Sequence, residues 1–146
     1  MSIRELTAVN VVDCLKQIQD PRPVLVTREP FDVEKLAITQ FPALLIQQTQ
    51  EERETISMGA PGTGRRMGTM TFEIRGFVRG TELDTRRNLL IEAVENALDE
   101  DRYRDQWATG VIDTQIVLIE IIPRLQPLAE FVITVEVKYN YLRGTQ

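Results

Sequence analysis

Near its end the chain carries Phe131-Val-Ile-Thr-Val-Glu-Val-Lys-Tyr-Asn-Tyr141, a run that alternates with a period of two over eleven residues. Phe131, Ile133, Val135, Val137, Tyr139 and Tyr141 share one face, and Thr134, Glu136, Lys138 and Asn140 share the other. Successive side chains of a strand point to opposite faces, so the run specifies a half-buried strand. Such a strand must pair within a sheet and have its apolar face covered. A long amphipathic helix, Glu82 to Asp101, offers the cover. Leu83, Leu90, Ile91, Val94, Ala97 and Leu98 make one stripe, with Arg86, Arg87, Glu92, Glu95 and Asp99 on the solvent side.

The remaining segments fit the same plan. Ser2-Ile-Arg-Glu5 reads as a capping box opening a first helix, with Ala8, Val11, Val12, Leu15 and Ile18 at helical spacing until Asp20-Pro21 stops it. Cys14 lies beside that stripe and reads as a small buried thiol. Pro23 to Thr27 is a short apolar strand flanked by prolines, which marks an edge. Asp32 is placed to cap a turn or two of helix through Ile38. Pro42 to Gln48 is a strand apolar on both faces, so both faces are expected to be covered.

Residues 49–66 are polar and glycine-containing, and predict a protruding hairpin arm or a long loop. A third strand, Thr69 to Arg79, follows, with Gly76 on its apolar face at a bulge or a close approach. Thr81 to Asp84 can cap the long helix. After a linker with Tyr103, Trp107 and Gly110, the run Asp113 to Ile122 is apolar on both faces at its centre. The expected fold is one α+β domain over residues 1–146. It has a single mixed, mostly antiparallel sheet of about five strands, two main helices on one face, and a long protruding loop or hairpin.

At 42% hydrophobic, 146 residues can bury a core without staples. One cysteine excludes an internal disulfide framework and points to synthesis in a reducing cytoplasm. No apolar run reaches the ~20 residues of a membrane helix, and no signal-peptide core opens the chain. A net charge of −5 gives no global attraction to nucleic acid. Arginine greatly outnumbers lysine, as suits bidentate contacts between protein surfaces. Histidine is absent, which removes the commonest general base and a common metal ligand. No catalytic, cofactor or metal site is expected.

Gly59-Ala-Pro-Gly-Thr-Gly64 has the glycine spacing of a phosphate-cradling loop, but Arg65 and Arg66 stand where lysine and a hydroxyl are required. A strand follows where a helix must open, so nucleotide binding is not expected. Glu51, Glu52 and Glu54 read as a solvated acidic cluster. Asp99-Glu-Asp101 opposes the macrodipole at a helix C-terminus. Arg65 and Arg66 form a two-residue basic spot, a candidate contact to an acidic neighbour or to a phosphate backbone when multiplied around a ring.

The element order resembles the tail terminator (tail completion) proteins of long-tailed bacteriophages, of the lambda minor tail protein U type. Arg4 to Leu15, Arg87 to Leu98 and Phe131 to Leu142 carry the likeness. It rests on layout over most of the chain rather than on a signature residue. The resemblance implies a non-enzymatic virion subunit, made in the host cytoplasm, that forms a homo-oligomeric and usually six-membered ring. Such rings cap the tail tube, end its polymerisation, and meet the neck of the head while DNA passes through without sequence-specific binding. Its partners would be itself, the tube protein and a neck or connector protein, with no membrane. The alternatives are a neck or head-completion protein of the same virion, or a generic cytosolic α+β protein-binding module.

Overall fold

The computed structural model describes residues 2–55, 65–104 and 111–142, and within these the side chains of residues 54, 55, 65, 66, 141 and 142 are not described. Two helices, α1 (Ile3–Lys16) and α2 (Leu83–Glu100), accompany five strands. These are β1 (Leu25–Thr27), β2 (Ala43–Thr55), β3 (Arg65–Arg79), β4 (Val111–Ile122) and β5 (Leu128–Leu142). They form one sheet in the order β1-β2-β3-β5-β4. The β1–β2 pair is parallel and the other three are antiparallel. The fold is therefore α+β with one mixed, mostly antiparallel sheet.

The last strand, β5, sits at the centre of the core. Phe131, Ile133, Val135, Val137 and Tyr139 are all buried, facing Leu44, Ile46, Met70, Phe72 and Ile74 on neighbouring strands and the stripes of both helices. Glycines on β3 make room for the two large rings. Gly76 pairs with Phe131 and Gly68 with Tyr139. A Cβ placed on either glycine would fall inside the aromatic ring opposite. The close approach expected at Gly76 is present, and no register shift accompanies it.

The opposite face is covered at one end only. Val33, Ala43 and Phe77 form a small second core, with Phe31 edge-on to Phe77 at 5.5 Å between ring centroids. The 3-10 turns Val33–Lys35 and Ile38–Gln40 bring these residues in, and Asp32 caps the first by accepting from the Glu34 amide. Glu130, nearly buried, accepts from Arg75 at 3.1 Å and from Arg124 at 2.6 Å. Both faces of β2 at residues 43–46 are covered, as its sequence requires.

Several local expectations change. The ladder runs through the polar stretch: β2 continues to Thr55 and β3 begins at Arg65, so residues 49–55 and 65–66 are strand rather than loop. The hairpin alternative is the one that forms, and residues 56–64 lie outside the described residues. Ser2 caps α1 at 3.1 Å from the Glu5 amide, but the Glu5 carboxylate turns to Arg28 instead of closing the box. Thr81 does not cap α2. Glu82 stands at the N-cap with φ 53° and no side-chain bond, while the Thr81 carbonyl accepts from Arg86 at 2.7 Å. Arg87 is not on the solvent side but largely covered, paired with Asp84.

Candidate assembly surfaces

The helices cover only the first half of β4, where Val111 is buried and Ile116 packs against the core. Register shifts at Val111/Asp113 and Ile116/Leu118 put Ile116, Ile119 and Ile121 opposite the inward residues Val135, Ile133 and Phe131. They share the apolar face, yet the outer half of β4 is bare: Val117 is 47% exposed, Leu118 51%, Ile119 38% and Ile121 48%. Leu125, in the turn to β5, is 90% exposed. β4 is also an edge strand, so one side of its backbone presents amides and carbonyls unpaired within the sheet.

A second group of exposed apolar residues lies where the start of β2, the end of β3 and the first turns of α2 meet. Val24 before β1, Ile38 and Leu89 are each at least half exposed. Ile38 and Leu89 line a groove of about 500 Å³ with Phe41, Pro42, Arg79 and Arg86. Eight of the ten exposed large apolar side chains among the described residues therefore belong to these two groups. Scattered apolar residues are ordinary on a surface, whereas contiguous ones mark an interaction site.

The hairpin end is electrostatic in character. The acidic cluster expected to be solvated is split by the pleat, and Glu51 turns inward with only 13% of its side chain exposed. Arg4 grips both its oxygens at 3.0 and 3.1 Å, and Arg53 donates at 2.7 Å. Burial alone would raise the Glu51 pKa, but the hydrogen bonds and charges of Arg4 and Arg53 hold it down to about 2. Beside it Tyr139 is raised, first by burial and then by the Glu51 charge. The pair ties the first turn of α1 to the outer half of β2.

A stability prediction follows from that carboxylate. Its folded pKa lies below the ordinary 4.5, so its contribution is complete above about pH 5 and fades as pH falls toward about 2. The gap corresponds to about 3 kcal/mol, reduced to about 2 because Arg4 is half exposed and screened. Urea unfolding of the wild type and Glu51→Gln should show that difference at pH 7. At pH 2 it should nearly vanish, and a pH-independent difference would refute the ion-pair origin.

Arg65 and Arg66 are not in the connecting segment. They are the first residues of β3, Arg65 pairing with Leu142 and Arg66 with Thr55 and Tyr141. Their side chains lie outside the described residues, as do Trp107, Gly110 and the glycine-rich stretch before Arg65. The Cys14 thiol is half-buried and donates to the Ala97 carbonyl at 3.0 Å. Among the described residues no helix is long and apolar enough to cross a membrane. Compared with protein-family models and with curated proteins, the chain matches none.

Proposed function

We propose that this chain is a non-catalytic virion subunit that assembles with copies of itself into a ring on the end of a bacteriophage tail tube. The ring ends tube growth, joins the tail to the neck of the head, and lets DNA pass without reading its sequence. The observation that carries the reading is the bare outer half of β4, an apolar edge strand at the end of the sheet. An exposed apolar edge is an aggregation hazard unless another chain covers it. The resemblance in element order supplies the viral context. Arg65 and Arg66, at the turn end of the β2–β3 hairpin, are the residues proposed to touch an acidic neighbour, the tube or the DNA.

The test is tail length in a phage that depends on this chain. Without the protein, electron microscopy should show tubes of uncontrolled length that do not join heads, and adding purified protein should restore joining. Tails of normal length joined to heads in its absence would sink the reading, as would tight nucleotide binding with hydrolysis.

A further inference from the structure

We infer that the groove between the Ile38 turn and the first turns of α2 docks a short acidic segment of another protein, one that carries a large apolar side chain next to a carboxylate. The inference stands on this groove alone and is independent of the ring reading.

The groove holds about 500 Å³, within the range of binding sites. Buried Val78 and the partly covered Phe41 and Pro42 line it, together with Ile38 and Leu89, which are 70% and 50% exposed. The two exposed side chains come from separate elements, a 3-10 turn and α2. A small ligand needs most of its surface enclosed, whereas a groove rimmed by exposed residues fits a chain that passes through it.

Charge decides the chemistry of that chain. Seven arginines each hold a carboxylate at 3.4 Å or less, and Arg104 is buried against carbonyls. The arginines left among the described side chains are Arg22, Arg79 and Arg86, none with an ion pair there. Arg79 and Arg86 both line the groove, and Arg22 follows Pro21, which also lines it, with Asp20 on the other side of that proline. Arg86 is already positioned. Its Nε donates to the Thr81 carbonyl at 2.7 Å, which leaves the two Nη atoms as an end-on fork for a carboxylate.

Glu82 limits how acidic the occupant can be. Its exposed side chain lines the groove without capping α2 or pairing with either arginine, so two guanidiniums face one carboxylate there. On a chain of net charge −5, a strongly acidic tract or a phosphate backbone is repelled. A phosphate backbone also brings no apolar side chain to cover Ile38 and Leu89. A single carboxylate beside a leucine or phenylalanine satisfies both parts of the surface.

The probe is a panel of short, end-blocked, fluorescein-labelled peptides, each with leucine or phenylalanine beside aspartate or glutamate. They are titrated into the intact chain and read by fluorescence polarisation. At least one should bind, and its amide counterpart, with asparagine or glutamine in place of the acid, should bind about tenfold more weakly. Arg79→Gln, which has no internal ion pair to lose, should weaken the acidic peptide about tenfold and leave the amide peptide unchanged. Glu82→Gln should tighten the acidic peptide about threefold, and Leu89→Ser should weaken both peptides. All three variants should melt within a few degrees of the wild type. Binding by no panel member, equal binding of acidic and amide peptides, or binding indifferent to Arg79→Gln or to Leu89→Ser would overturn the inference. So would an Arg79-dependent DNA duplex in place of the peptides, or self-association of the chain that Leu89→Ser abolishes, since the groove would then belong to nucleic acid or to a second copy.

Discussion

Gly76→Ala is expected to destabilise the protein by about 3 kcal/mol, a large effect for adding one methyl group to a strand. The added Cβ has no free volume to enter, because the Phe131 ring already occupies the space above the glycine. Phe131 is fully buried and pairs with Gly76 across the ladder, so neither residue can move without dragging a strand. Phe131→Ala alone should cost about 4 kcal/mol from lost burial and the cavity left behind. The informative variant is the double one. Once the ring is gone the methyl on residue 76 meets open space, so the two losses should not add. Denaturant unfolding should give about 5 kcal/mol for Gly76→Ala/Phe131→Ala rather than about 7, a coupling of about 2. Strict additivity would show that the ring does not fill the glycine's place. Gly68 and Tyr139 repeat the device at the other end of the same strand pair, next to the Glu51 ion pair.

That pairing explains which parts of the fold could be read in advance. The period-two run of β5 and the stripes of α1 and α2 are burial patterns, and burial is what periodicity reports. All the residues from Phe131 to Tyr139 read as inward are buried, as are Ala8, Val11, Val12, Leu15 and Ile18. The polar stretch 49–55 escaped because it extends β2 beyond the apolar core. There the ladder rests on backbone bonds and on Glu51 between two arginines, neither of which leaves an apolar signature. The α2 start was misread because Thr81 and Asp84 have the right residue types but the chain enters through Glu82 in the left-handed region.

The candidate surfaces divide in the same way. That Ile116 to Ile119 are apolar on both faces was visible in the sequence. Periodicity cannot tell a covered apolar face from a bare one. Only the helical layer's end part-way along β4 makes the distinction. The second exposed group had no sequence signal at all, since Val24, Ile38 and Leu89 come from three separate segments.

Arg104 is the residue that sequence reasoning missed most completely, and its removal should be the second large effect. Asp99, Glu100 and Asp101 place three negative side chains at the C-terminal end of α2, where the macrodipole calls for positive charge. Arg104 supplies that charge from beyond the helix. Its backbone turns through φ 47°, its side chain is fully buried, and its guanidinium donates to the carbonyls of Leu98 and Asp101. It also reaches Asn10 of α1 at 3.3 Å, so one side chain closes α2 and fastens it to its neighbour. Arg104→Ala would leave those carbonyls buried without a donor and a cavity where the side chain lay. The expected loss is about 3 kcal/mol. Arg104→Lys keeps the charge but not the planar fork, and should recover less than half of it. Hydrogen exchange should show the last turn of α2 opening in both variants before the sheet does. If Arg104→Ala unfolds at the wild-type denaturant midpoint, the guanidinium is not what holds that helix end.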